Sequence, residues 1–163
     1  MSSCIIQETA TSNHVGMGQI AVGEGDAELT AILGSCLGVS LYDRQRRTGT
    51  LAHVVLPNSG GRPSAFGKFA DTAVPQMMEI MARRGSSSKT IEAKLTGGAC
   101  MFTSRTSVEI GKANVEAVRR ALAALNIPVA ATDVGGECGR RITFRCWDGG
   151  VHVERIGKPS STI

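Results

Sequence analysis

A cysteine and a histidine of this chain have the types and the spacing of a nucleophile and its base. Cys36 immediately precedes an apolar run, 37–42, and His53 lies in a second apolar stretch, 50–56. An imidazole that takes the proton of a thiol creates a thiolate, which attacks carbonyl carbons. We therefore predict that Cys36 and His53 form the reactive centre, with the Cys36 thiolate as its nucleophile.

The two apolar runs favour a β-hairpin that would bring this pair together. The polar segment 43–46 between them is typical of a turn, because an aspartate in its first position can bond to the backbone that follows. A turn centred between Arg44 and Gln45 puts Cys36 directly opposite His53, with Cβ atoms roughly 4.5 to 5.5 Å apart. A turn displaced by one residue on each side would leave them diagonal neighbours.

The residues before Cys36 predict two further contributions to such a site. Gly34 and Ser35 favour a tight turn whose backbone N–H groups face an oxyanion beside the nucleophile. If the chain folds back at Gly34, the hydroxyl or carbonyl of Thr30 reaches the second imidazole nitrogen. Thr30 would then orient the ring, as the third member of a catalytic triad does.

The cysteines and the histidines also have a purely structural interpretation. A single Cys among apolar residues is commonly an inert core thiol, and a His in a strand commonly satisfies a local hydrogen bond. Cys100, beside the glycines 97–98, has no His near it in sequence, so we interpret it as structural. Cys138, Cys146 and His152 lack the spacing of metal ligands, which leaves a metal site there with little support.

Hydrophobic periodicity predicts the elements that must position the pair. Helical spacing predicts two helices, 70–84, with Asp71 as its cap and Pro75 in its first turn, and 112–125. The loop 58–68, rich in Gly, Ser and Pro, is expected to border the site. Besides the hairpin, strands are predicted at 19–23, 29–33, 90–95, 129–134, 141–147 and 151–156. This order favours an α/β protein of the α+β type, with helices packed on a mixed, largely antiparallel sheet.

Length and composition bound the remaining possibilities. A chain of 163 residues predicts a single domain, 1–163, with flexible tails at 1–17 and 158–163. A net charge of +4 without a basic stripe or interleaved aromatic residues gives no nucleic-acid footprint. Five cysteines without a C-x-x-C pair favour reduced thiols, and no segment has the apolar length of a membrane span. We expect a soluble, cytoplasmic protein.

Several ordered motifs of the chain resemble the CheD family of chemoreceptor glutamine deamidases. The likeness runs from about Val15 to about Ile156. The segments that carry it are Leu33-Gly34-Ser35-Cys36, Leu41-Tyr42-Asp43, Ala52-His53-Val54-Val55-Leu56-Pro57, Lys68-Phe69-Ala70-Asp71-Thr72-Ala73-Val74-Pro75, Gly97-Gly98-Ala99-Cys100-Met101-Phe102, Ile110-Gly111-Lys112-Ala113-Asn114-Val115 and Asp133-Val134-Gly135-Gly136. Cys100 departs from the small or polar residue usual there.

The resemblance implies a fold, an activity and partners. It implies a Cys-His-Thr triad at Cys36, His53 and Thr30, and a fold like the deamidating domain of cytotoxic necrotizing factor toxins. The implied substrates are glutamines on the cytoplasmic helices of methyl-accepting chemotaxis receptors, converted to glutamate and ammonia without a metal or organic cofactor. CheC, a phosphatase of the response regulator, is an implied partner in organisms that have it. The alternative is a non-catalytic regulatory module that binds the receptor or CheC.

Overall fold

The computed structural model describes residues 6–8, 13–101 and 105–163. Its two helices are α1 (Ala70–Arg83) and α2 (Arg105–Ala124). Its strands are β1 (Ile6–Glu8), β2 (Asn13–His14), β3 (Ile20–Glu24), β4 (Glu28–Leu33), β5 (Leu37–Asp43), β6 (Thr48–Val54), β7 (Ile91–Gly97), β8 (Val129–Val134), β9 (Arg140–Arg145), β10 (Val151–Glu154) and β11 (Ser161–Thr162).

The strands form two mixed sheets. The first sheet has the order β1-β3-β6-β5-β7-β8, in which β1 with β3 and β7 with β8 are parallel and the other pairs are antiparallel. The second sheet has the order β11-β10-β9-β4-β2, in which only β2 with β4 is parallel. The α+β class with a mixed, largely antiparallel arrangement is confirmed, although two sheets replace the single sheet that was predicted.

The sheets and helices stack as three layers around two cores. Both helices pack on one face of the first sheet, where Leu37, Val39 and Leu41 meet α1 and α2. The other face packs against the second sheet, where Tyr42 meets Phe144 edge-on with ring centroids 6.1 Å apart. The first sheet is therefore covered on both faces, which explains why β5 and β6 are buried at every position.

The chain passes from the second sheet to the first within three residues. β4 belongs to the second sheet and β5 to the first, and only residues 34–36 connect them. Sheet pairing cannot continue through such a crossing, so its backbone groups need other partners. Cys36 is the last residue of this crossing.

Three expectations about the elements are wrong in detail. α2 begins at Arg105 and not at residue 112. The sequence missed its first turns because the apolar face that periodicity detects starts only at Val115. α1 is preceded by Phe69 without a side-chain cap, since the Asp71 carboxylate bonds to Ser59 instead. Pro75 is the sixth residue of α1, beyond the first turn.

The predicted flexible tails contain strand pairing instead. β2 pairs with β4 in the N-terminal tail, and β11 pairs with β10 in the C-terminal one. The Ile163 N–H and carbonyl both bond to Val151. Pairing through the backbone requires no apolar run, which is why the polar composition of these segments concealed it. In the described ranges, neither helix is both long and apolar enough to cross a membrane.

Candidate active site

The backbone carbonyls of the crossing between the sheets are all held by hydrogen bonds. Ala99 N–H donates to the Gly34 carbonyl and Gly98 N–H to the Cys36 carbonyl, both at 2.9 Å. The Asn114 side-chain amide lies 3.5 Å from the Ser35 carbonyl. Two segments distant in sequence, the loop after β7 and helix α2, therefore fix the turn that carries the thiol.

The amide N–H groups of this turn differ from its carbonyls in their hydrogen bonding. Within the described part of the chain, neither the Ser35 nor the Cys36 N–H donates to a protein acceptor. The Ser35 N–H shares a peptide unit with the Gly34 carbonyl, and the Cys36 N–H shares one with the Ser35 carbonyl. Within a peptide unit the N–H and the carbonyl point in opposite directions. Both N–H groups therefore point away from the protein groups that bind these carbonyls. Two such donors beside a thiol form the arrangement that stabilises an oxyanion.

Glycines allow the loop after β7 to approach the turn this closely. Gly97 has φ 104°, and a Cβ built there would collide with the Cys36 carbonyl oxygen. A Cβ at Gly34 would lie 2.6 Å from the Met101 sulfur. The backbone contact leaves no room for a side chain at Gly97, whereas the flexible Met101 side chain could move aside for one at Gly34.

His53 is buried and oriented by a backbone carbonyl. Only 4% of its surface is exposed, and its Nδ1 lies 3.0 Å from the Val15 carbonyl oxygen. A carbonyl can only accept a hydrogen bond, so Nδ1 carries the proton and Nε2 has the free lone pair. The His53 backbone is also tied to this segment, through its carbonyl to Gly18 and its N–H to Gln19.

The register of the hairpin differs from the predicted one. β5 and β6 pair with Gly38 opposite His53, so the turn is centred between Gln45 and Arg46, one residue later than expected. The loop closes through Arg47, which adopts a positive φ of 49°. This conformation is uncommon for arginine, so the sequence does not predict it. Direct opposition of Cys36 and His53 is therefore wrong; continued one residue past Leu37, this register would place Cys36 diagonal to His53.

Cys36 and His53 still lie on the same side of the first sheet. His53 alternates with Ala52 and Val54, which face the helices, so its imidazole lies on the opposite face. Cys36 is half-buried and packs against the core between the two sheets. Both residues that the sequence singled out therefore lie on this face of the first sheet.

Thr30 does not contact the imidazole as the sequence suggested. Its neighbours Leu29 and Ala31 point into the core between the sheets, so the Thr30 side chain lies on the outer face of the second sheet. Its carbonyl accepts the Val15 N–H at 2.7 Å, while the Val15 carbonyl bonds to His53. Val15 occupies the place expected for Thr30, and Thr30 holds Val15.

Burial favours the neutral forms of both members of the pair. Burial raises the pKa of the Cys36 thiol, which disfavours a standing thiolate. Burial lowers the pKa of His53; the bond to Val15 opposes this effect and the neighbouring His14 adds to it. The resting pair is therefore a thiol beside a neutral imidazole, a nucleophile that is activated as its proton leaves.

An ion-pair cluster supports the loop that holds the turn. Arg140 is almost fully buried and bonds to Asp133, to the Gly135 carbonyl and to the Cys138 carbonyl. The segment that it fixes accepts the Cys100 N–H at Gly136, at 2.8 Å. The position of the Cys36 turn thus depends on bonds as distant as β9.

Sequence reasoning missed the roles of Val15, Asn114 and Arg140. Val15 acts through its backbone carbonyl, which every residue possesses, so its residue type could not indicate this role. Asn114 stood in a motif that was noticed but given no role. A buried Asn within an apolar helix face would have been a usable signal, because buried amides need partners.

The loop 58–68 lies against the segment that orients His53. A Cβ at Gly67 would be 2.6 Å from the Gly18 carbonyl oxygen, so the two segments are in contact. This arrangement agrees with the expected position of the loop beside the site. In the described ranges, no three His, Cys, Asp or Glu side chains form a group that could hold a metal ion.

Comparison with known proteins gives a consistent family match. The family model described as "CheD chemotactic sensory transduction" matches residues 55–155, a range that begins just after His53. The Archaeoglobus fulgidus protein named "Probable chemoreceptor glutamine deamidase CheD" is 43% identical over 142 residues, covering 86% of this chain and 90% of its own. An alignment of that coverage cannot leave out residues 30–53.

Two other relatives have similar names and coverage, and one solved structure resembles the fold in part. The Thermotoga maritima "Chemoreceptor glutamine deamidase CheD" is 38% identical, over 88% of this chain and 91% of its own. The similarly named Methanococcus vannielii protein is 39% identical, over 86% and 93%. The Bacillus licheniformis hypothetical protein YfiH superposes with a TM-score of 0.47 at 14% identity, over 81% of this chain and 62% of that one. The chain thus spans less than two thirds of the YfiH chain.

Proposed function

Because the chain belongs to the CheD family, we propose that it converts specific glutamine side chains of chemotaxis receptors to glutamate and releases ammonia. Its named relatives are chemoreceptor glutamine deamidases. The observation that carries the proposal at the level of chemistry is the shared face of Cys36 and His53, with unpartnered N–H groups beside the thiol.

The first half of the reaction forms a thioester. His53 Nε2 takes the Cys36 proton as the sulfur attacks the glutamine amide carbon, and the carbonyl electron pair moves onto oxygen. The N–H groups of Ser35 and Cys36, in the turn that Gly34 begins, stabilise this oxyanion. The imidazolium then gives its proton to the amide nitrogen, the C–N bond breaks, and ammonia leaves.

The second half consumes one water molecule. His53 Nε2 removes a proton from the water as its oxygen attacks the thioester carbon. The C–S bond breaks, the sulfur regains a proton from the imidazolium, and a receptor glutamate is released. Val15, held by Thr30, keeps the ring in the tautomer that both halves require. Every step uses protein groups and water alone.

Substrate and surroundings follow from the same proposal. The substrate glutamines lie on the cytoplasmic helices of methyl-accepting receptors, which makes the protein cytoplasmic. CheC is a proposed second partner, and co-migration of the two proteins in gel filtration tests it. The proposal also includes a fold shared with the deamidating domain of cytotoxic necrotizing factor toxins, which superposition on such a domain tests.

The deciding experiment incubates the protein with a receptor cytoplasmic fragment. Wild type should release ammonia and produce the Gln-to-Glu mass change, and Cys36→Ala should do neither, because it lacks the sulfur that attacks the amide. Cys138→Ser is the matched control and should retain activity, because serine keeps the backbone carbonyl that accepts a hydrogen bond from Arg140. Identical mass spectra for wild type and Cys36→Ala would exclude the enzyme. Receptor binding retained by both would then favour the regulatory module.

A further inference from the structure

The Asn114 side chain bridges the two strands that carry the catalytic pair. It is fully buried, and its Nδ2 lies 3.0 Å from the Val55 carbonyl oxygen and 3.5 Å from the Ser35 carbonyl oxygen. Val55 follows His53 by two residues, and Ser35 immediately precedes Cys36. One amide group thus contacts both halves of the site from helix α2.

The bridge stands where the hairpin itself stops holding the strands together. The last paired residues of β5 and β6 are Leu37 and Val54, so Cys36 and Val55 lie just beyond the ladder. Two carbonyl oxygens cannot bond to each other, whereas an amide NH2 has two donors and can serve both. Asn114 therefore replaces the next rung of the ladder at the point where the reactive residues need a fixed separation.

Helix α2 is rigidly placed against the same turn. A Cβ at Gly111 would lie 2.6 Å from the Gly98 carbonyl oxygen, so the helix backbone nearly touches the loop after β7. Gly98 in turn donates to the Cys36 carbonyl. The helix cannot move away from the turn without breaking this contact, so the Asn114 amide is presented from a fixed support.

The Asn114 amide uses its nitrogen, and not its oxygen, to contact the neighbouring backbone. Its Oδ1 is buried and has no hydrogen-bond partner within the described part of the chain. Exchanging Oδ1 and Nδ2 would set an acceptor against two carbonyl acceptors, so the observed orientation is the one that the neighbours require. A buried unpaired oxygen costs stability, which indicates that the residue serves its donors.

We propose that Asn114 is a positioning residue that sets the distance between Cys36 and His53 by bridging the Ser35 and Val55 carbonyls. The inference rests on the proposed function for its role in deamidation. Its structural part, the coupling of the thiol to the imidazole, is independent of the substrate.

The test compares Asn114→Leu and Asn114→Asp with wild type. Leucine keeps the branching of the side chain and removes both donors and the unpaired oxygen; aspartate keeps the shape but has no N–H. Both should lower kcat for the receptor fragment by about 10²-fold, the loss expected from a misplacement of about 1 Å, with KM unchanged. Glu116→Gln, on the exposed face of the same helix, should behave as wild type.

A readout without substrate separates this inference from the proposed function. The rate at which iodoacetamide modifies Cys36, followed by mass spectrometry across pH, reports the coupling of the thiol to His53. In folded Asn114→Leu the profile should approach that of His53→Ala. A wild-type profile and wild-type kcat in a folded Asn114 variant would overturn the inference. If wild type converts no receptor glutamine while the Asn114 variants still lose the coupled profile, only the proposed function fails.

Discussion

Burial is the largest influence on the protonation of Cys36 and His53. A surface thiol beside an exposed imidazole would form a thiolate–imidazolium pair more readily, because water stabilises both charges. Here desolvation disfavours each charge, raising the pKa of Cys36 and lowering that of His53. The proton is therefore expected to move during the attack on the amide, when the oxyanion donors can stabilise the new charge.

These shifts predict a broad pH profile for the reaction. The active form has a neutral His53 and a protonated Cys36, so activity falls on the acid side only when His53 gains a proton. Because its pKa is lowered, the acid limb of kcat/KM should lie below the ordinary histidine value of about 6.5. The raised pKa of Cys36 should place the alkaline limb above the ordinary thiol value of about 8.5.

The profile is measured with the receptor fragment and supported by spectroscopy. Thiolate ultraviolet absorbance should be absent at neutral pH and appear only on the alkaline side, with Cys36→Ala as the blank. A standing thiolate at neutral pH, or an acid limb above 6.5, would contradict the neutral pair.

At the scale of elements, the site depends on contacts between segments that are far apart in sequence. The turn 34–36 is held by the loop after β7 and by α2, and His53 is held by the segment between β2 and β3. The sequence predicted the hairpin correctly because it is local, and Asp43 bonds to the N–H groups of Gln45 and Arg46 as expected. The register was missed because it depends on one unusual backbone angle, at Arg47.

The close approach of β7 to the nucleophile turn predicts the effect of Gly97→Ala. The added Cβ would collide with the Cys36 carbonyl oxygen, and φ 104° is unfavourable for any side chain. We expect a loss of about 2 to 4 kcal/mol in unfolding free energy, from backbone strain and overpacking together. Displacement of the turn should lower kcat by about 10²-fold. Urea denaturation and the receptor-fragment assay measure the two effects.

Gly60→Ala provides a matched control for this substitution. Gly60 also has positive φ, 60°, but a Cβ there would have no neighbour within 4 Å. Its cost should be limited to about 1 to 2 kcal/mol of backbone strain, with activity retained. Equal loss of activity in the two variants would show that contact with Cys36 is not the cause.

On the scale of the whole molecule, three layers make the first sheet the most protected part. β5 has a hydrogen-bonded strand on each side, helices on one face and the second sheet on the other. The composition and element order predicted the α+β class, since periodicity reports which residues are buried. They did not predict two sheets, because the crossing at 34–36 is a short bend that local sequence does not distinguish from a continuing strand.

This layering predicts the order of local opening in native-state hydrogen exchange. Amides of β5 and β6 should exchange most slowly, at rates that follow global unfolding, because both strands are interior to the first sheet and buried on both faces. Amides of β2 and β11, two-residue strands at the edges of the second sheet, should exchange fastest among the strands. Protection of β11 equal to that of β5 would contradict this order.

The bonds around the crossing also set when the site first exists during synthesis. Val15 leaves the ribosome long before His53, which it orients, and the thiol turn needs Gly98, Ala99, Asn114 and, through Gly136, the Arg140 cluster on β9. A nascent chain that already displays Cys36 and His53 lacks the groups that fix their separation. Translation must therefore pass β9 before every contact that fixes the Cys36 turn can form, so a product truncated before β9 lacks part of that support.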